Sequence, residues 1–88
     1  MNDTCRRCRV CGYDLHEPPW SQDGLTPTYL ICPCCGGQAG YEDTSPETAR
    51  RYRDKWVAEG RPWWSALDHP PKSLDLDDQM TRIPELYR

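Results

Sequence analysis

Apolar positions recur with a helical period in one stretch of the chain. Ala49, Tyr52, Arg53 (through its aliphatic stem) and Trp56 follow i, i+3, i+4, i+7 spacing, which lines one stripe of an α-helix. The end signals agree. Ser45 is a good N-cap, Pro46 fits the first helical position, and Glu47 favours the positive helix end. Thr44 with Glu47 offers an alternative capping box. Gly60 suits the position just past the helix, and Pro62 forbids continuation. Arg50–Asp54 and Lys55–Glu59 then fall as i,i+4 pairs on the solvent side.

The helical period is lost on both sides. Upstream, Pro27-Thr28-Tyr29-Leu30-Ile31 carries strand-favouring residues, with Gly12-Tyr13-Asp14-Leu15 as a candidate partner. The residues between, from Glu17 to Gly24, have turn and loop chemistry. Downstream, a short helix is predicted from Asp75 as cap, stopping before Pro84. The predicted fold class is small α+β: a zinc ribbon of two knuckles and short antiparallel strands over 1–43, an amphipathic helix packed on it over 44–60, and a Pro-, Trp- and Asp-rich extension over 61–88. These form a single structural unit.

Composition makes a staple necessary. Leu, Ile and Val together number eleven among 88 residues, and there is no Phe. Chains this short often need a metal or disulfides to hold a core. The large buriable surfaces come from four Trp and five Tyr, at about 150–250 Å² each. Arg6, Arg7 and Arg9 cluster, as do Arg50, Arg51, Arg53 and Lys55, but the net charge is −3. That is not the basic footprint of a nucleic-acid binder. Met1-Asn2-Asp3-Thr4 leads into no apolar run, and no stretch approaches the roughly 18–20 apolar residues of a membrane span. A cytoplasmic location, with no membrane partner, is therefore expected. There, clustered cysteines are metal ligands more often than disulfides; three disulfides would be the reading for a secreted chain.

The six cysteines carry the strongest motif. Cys8-Arg9-Val10-Cys11-Gly12 is followed by Cys32-Pro33-Cys34-Cys35-Gly36. A C-x2-C unit lets two thiolates meet one ion across a tight turn, and the following Gly lets the backbone swing round. Two such units complete a tetrahedral shell. The predicted ligands are Cys8, Cys11, Cys32 and Cys35, holding a structural Zn²⁺ with iron as the alternative. Cys5-x2-Cys8 competes with Cys8/Cys11, but Arg9 follows Cys8 where Gly12 follows Cys11. Cys5 and Cys34 are left over, as spare thiols, a redox pair or ligands to a second metal. His16 and His69 lack knuckle spacing and read as surface residues.

Two resemblances arise at these residues. Cys8-x2-Cys11-Gly12-Tyr13 with Cys32-Pro33-x-Cys35-Gly36 resembles the paired knuckles of rubredoxins and rubredoxin-like zinc ribbons, where four sulfurs hold a metal. More of the chain is similar to a family of small, mostly uncharacterised, cysteine-rich bacterial proteins built around a CPCC motif. The matching residues are Pro27-Thr28-Tyr29-x-Ile31-Cys32-Pro33-Cys34-Cys35-Gly36, Gly40-Tyr41-Glu42-Asp43, Arg51-Tyr52-Arg53-x-x-Trp56 and Gly60-x-x-Trp63. Related cysteine-rich families occur among immunity proteins of bacterial toxin systems. The resemblance thus implies binding of a partner protein, in an immunity- or antitoxin-like role, and carries over no catalytic residue.

No catalytic signature stands out in the sequence, and the chain reads as a non-enzyme. Tyr41-Glu42-Asp43 reads as a turn that caps the following helix, with an acidic catalytic or second-metal site as the alternative. The expected function is a protein–protein interaction module. Candidate partner-binding residues are Trp20, Arg50, Trp63 and Trp64, because Trp and Arg in Pro-flanked loops resemble interface hot spots. A nucleic-acid-binding zinc ribbon and a rubredoxin-like iron electron-transfer protein are the alternatives. An apolar strand edge near Leu30 leaves both monomer and homodimer open.

Overall fold

The computed structural model describes residues 5–88; the Met1–Thr4 segment weighed above lies outside them. Helix α1 spans Pro46–Ala58. The Ser45 hydroxyl accepts from the Thr48 amide at 3.2 Å, and the Thr48 hydroxyl accepts from the Ser45 amide at 3.1 Å. The capping box is therefore Ser45 with Thr48 rather than Thr44 with Glu47. At the other end, the Arg61 amide donates to Trp56 O and the Gly60 amide to Val57 O. This is a Schellman termination, and Gly60 holds the positive φ of 93° that it needs. Ala49, Arg53 and Trp56 form the buried stripe. Glu47 pairs with Arg51 at 2.9 Å on the solvent side, while Arg50 reaches instead to the Arg88 carbonyl oxygen at 2.9 Å. Helix α2, Leu76–Met80, is capped by the Asp75 carboxylate accepting from the Asp78 amide at 3.1 Å. A 3-10 turn over Glu85–Tyr87 ends the chain.

The predicted zinc ribbon with antiparallel strands does not form, so the small α+β class is corrected to helices and loops. Among the described residues there is no strand, only isolated antiparallel bridges at Arg7 with Asp14, Trp20 with Pro27, and Ile31 with Gln38. The reason is local. Tyr29 takes φ 62° and breaks the Pro27–Ile31 run, while His16 takes φ 64° and ends the Gly12–Leu15 run. A side chain in that left-handed region cannot continue an extended strand. Pro27 and Pro33 also lack the amide that a ladder needs. The strand edge near Leu30, offered above as a route to a homodimer, disappears with the sheet; the Leu30 carbonyl accepts from the Ala39 amide of the same chain.

Each bridge that remains near the cysteines closes one knuckle on itself. In the first, Cys8 N donates to Tyr13 O, Gly12 N to Cys8 O, and Leu15 N to Arg6 O. In the second, Cys32 N donates to Gly37 O, Gly36 N to Cys32 O, and Ala39 N to Leu30 O. Every bond of one has its counterpart in the other. Gly12 and Gly36 sit at φ 83° and 79°, the conformation in which glycine costs least.

Residues 61–88 wrap back over the knuckles. Trp64 N donates to Cys34 O at 3.0 Å and Ser65 N to Pro33 O at 2.9 Å. Gln79 is buried and its amide donates to Cys11 O at 3.2 Å. Ile83 is buried too, and a Cβ on Gly12 would collide with the Gln79 carbonyl oxygen. Gly12→Ala should therefore destabilise the metal-loaded protein by about 2–3 kcal/mol in urea unfolding, from clash plus positive φ. Gly60 shares the positive φ but faces open space. Gly60→Ala should cost only about 1 kcal/mol. Equal losses for the two would show that α2 does not press on the knuckle.

Candidate metal centre

Folding the two knuckles against each other brings Cys8, Cys11, Cys32 and Cys35 into one buried group, with all four sulfurs within 4.8 Å of one another. Cys8 Sγ lies 3.7 Å from Cys35 Sγ, and Cys11 Sγ lies 3.6 Å from Cys32 Sγ. These separations are far beyond the ~2.05 Å of a disulfide. They match the edge of a tetrahedron whose metal–sulfur bonds are about 2.3 Å, which is about 3.8 Å. The donor set and the spacing fit a four-coordinate metal ion. The backbone supplies further support: Val10 N points at Cys8 Sγ and Gly37 N at Cys35 Sγ, each at 3.4 Å.

The electrostatics of the group call for a cation. Hydrogen bonds from Cys11, Cys32 and Cys35 hold the Cys8 thiol well below its usual range, whereas burial pushes Cys11 well above its own. One thiolate is thus stabilised by its neighbours' S–H groups, and further thiolates meet desolvation and repulsion. A divalent ion removes that obstacle, because ligation deprotonates a thiol outright.

Cys34 lies outside the four-sulfur group although it is buried. Its sulfur accepts from the Gln79 side-chain amide at 3.5 Å, so Gln79 ties α2 both to this sulfur and to the Cys11 carbonyl. Cys5 is exposed, with its sulfur 3.4 Å from the Arg7 amide. His16 and His69 are exposed and lie outside the four-sulfur group.

The proposed partner-binding residues differ in exposure. Trp20 is 9% exposed and its indole N–H donates to the Asp43 carboxylate at 2.9 Å. Trp63 is half-buried, edge-on to Tyr13 at 5.6 Å, with its N–H on the Asp68 carbonyl oxygen. Trp64 packs over Gly36 and remains 55% exposed. Arg50 lies on the exposed side of α1. The Tyr41-Glu42-Asp43 turn has a structural use: buried Asp43 accepts from Trp20 Nε1 and from Gly40 N, both at 2.9 Å.

The sequence assigns no role to Gln79 or the Arg53 guanidinium, and it places Asp43 in a helix-capping turn and not as the acceptor for Trp20 and Gly40. Arg53 is 8% exposed and donates to the Val10, Arg9 and Tyr87 carbonyls, locking α1 to the first knuckle and to the chain end. A charged residue on an otherwise apolar helical stripe was the available signal for this position.

The chain is 39% identical over 44 residues to "Uncharacterized protein YoaQ" of Bacillus subtilis (strain 168). The match covers 49% of the chain and 37% of that protein, so the chain spans little more than a third of this relative's length. No protein-family model matches the chain, and no solved structure does. The likeness to the CPCC family accordingly rests on its motif residues alone. Among the described residues no helix is long and apolar enough to cross a membrane.

Proposed function

We propose that this chain is a zinc-stapled protein–protein interaction module whose four-cysteine centre is structural. The observation that carries the reading is the buried group of Cys8, Cys11, Cys32 and Cys35 at tetrahedral sulfur spacing. Four thiolates fill the shell and leave no coordination position for water or substrate, so the ion shapes the fold instead of performing a reaction. The recognising surface is then the aromatic and cationic exterior. Trp64, 55% exposed, and Tyr41, 63% exposed, supply flat apolar area that a partner can cover. An immunity- or antitoxin-like role is one form of such binding. Iron in the same four sulfurs is the second reading, because the sulfur geometry suits it as well.

Elemental analysis and the visible spectrum of the purified protein test the metal. One zinc per chain in a colourless protein supports the first reading. One iron per chain with a coloured, reducible centre replaces it by the second. Affinity capture and cross-linking test the docking role. A chain that retains its zinc but engages no protein under native conditions overturns it.

A further inference from the structure

A basic cleft lies on the side of the molecule where the chain end meets the first knuckle. It encloses about 290 Å³ and is lined by Arg7, Arg9, Trp20, Pro84 and Tyr87, with Cys5 also on its wall. The Arg9 guanidinium is clamped between two rings, 4.1 Å from the Trp20 centroid and 4.4 Å from that of Tyr87. The Trp20 ring is held by its Nε1 donating to Asp43, and the Tyr87 backbone is held by its carbonyl accepting from Arg53. Arg9 Nη1 donates to the Asp43 backbone carbonyl at 3.3 Å. The Asp43 carboxylate is already occupied by Trp20 and Gly40. Arg7 donates to the Gly12 carbonyl at 3.4 Å. Among the described residues neither guanidinium forms a salt bridge, whereas Arg51, Arg61 and Arg82 each do.

We propose that this cleft binds a carboxylate-bearing segment of a partner protein, with Arg9 as the principal recognising residue. The inference rests on the docking role proposed above and places that role at a definite site. The two rings and the Asp43 carbonyl hold the Arg9 fork in place, so recognition falls to its remaining edge donors. Those donors form paired hydrogen bonds with a planar carboxylate. The flanking walls, Pro19, Pro84 and the two rings, suit the apolar neighbours of an acidic side chain in a peptide. Nucleic acid fits less well, because Arg7 and Arg9 are the cationic residues lining the cleft, and tracking a phosphate backbone takes a longer row of them.

The test is fluorescence anisotropy of a labelled hexaglutamate peptide with the full, metal-loaded chain at low ionic strength. Saturable binding is expected, with no binding of a Gly-Ser peptide of equal length. Arg9→Gln should weaken it about tenfold, and Arg9→Lys nearly as much, because an ammonium lacks the planar fork. Gln22→Glu adds a carboxylate at the rim of the cleft and leaves the Arg9 stack intact. It should weaken binding by up to about fivefold, and it decides the matter if the Arg9 variants do not fold. Arg51→Gln, on exposed α1, should change binding by less than about twofold. Bound peptide should also slow alkylation of the exposed Cys5. The inference is overturned if hexaglutamate binds no better than the Gly-Ser peptide, if Arg51→Gln or oligothymidylate shows that the attraction is diffuse or for nucleic acid, or if Gln22→Glu binds as well as the parent. A captured partner that ignores Gln22→Glu sinks the cleft but not the docking role. Absence of any partner sinks the docking role whatever the peptide does.

Discussion

Cys11→Ser should cost the protein its folded state, with the near-ultraviolet circular dichroism and the bound metal lost together. Cys11 is completely buried, and its sulfur lies 3.6 Å from that of Cys32. Metal binding at such a site contributes on the order of 10 kcal/mol to folding. That is as large as the entire stability of a typical domain, about 5–15 kcal/mol. Without the centre, the buried apolar cluster is reduced chiefly to Val10, Ala49 and Trp56. A strong chelator should do to the parent what the substitution does, and added zinc should reverse it. Acid should act in the same direction. Ligation holds the thiols deprotonated far below their unfolded pKa of about 8.5, so this stability is present at neutral pH and falls as protons compete for sulfur. Cys5→Ser is the matched control: Cys5 is exposed and outside the four-sulfur group, so metal content and melting temperature should stay put. A Cys11→Ser protein that melts cooperatively at the parent's temperature would remove the metal from the account of the fold.

The motif made the centre legible because its geometry is local. A C-x2-C-G unit sets its turn through bonds between near neighbours in sequence, and the two units fold alike. The strands were misread for the complementary reason. Thr28, Tyr29 and Ile31 favour extended backbone, yet Tyr29 and His16 take positive φ. Tyr is not a residue type that announces such a conformation, and His, though enriched there, takes it only in a minority of cases. Pairing then stops after one bridge, and the elements that cover the knuckles come from α1 and residues 61–88 instead. Those contacts span large distances in sequence. Gln79 to Cys11 and Tyr87 to Arg53 are joined only once the chain has folded back, and no periodicity encodes them. Trp20 was read as a docking candidate because Pro18 and Pro19 mark a loop. Its indole N–H is held by Asp43, a pairing the sequence does not display, which leaves the ring lining a cleft beside Arg9.

Arg53→Met should destabilise the metal-loaded protein by about 3–5 kcal/mol in urea unfolding, the largest loss expected from any change outside the cysteines. The apolar stem is preserved, so the effect isolates the guanidinium. That group is 8% exposed and donates to Val10, Arg9 and Tyr87. Hydrogen bonds from a charged donor each contribute about 1.5–3 kcal/mol, and buried carbonyls left without a donor carry a desolvation penalty as well. The full sum is not reached because water and small backbone shifts recover part of it. Arg53→Lys should rescue less than half, since a single ammonium cannot span carbonyls from two separate segments. Burial draws the Arg53 pKa down, but guanidinium remains charged across the accessible range, so the contribution should not vary between pH 6 and 9, about the window in which the metal stays bound. The lesion should also spread. Releasing the Tyr87 carbonyl loosens the backbone that carries the ring beside Arg9, so Arg53→Met should weaken hexaglutamate binding even where the protein is fully folded and metal-loaded. A stability loss under about 1 kcal/mol, or unchanged peptide affinity, would mean that α1 and the chain end are held to the first knuckle by packing alone.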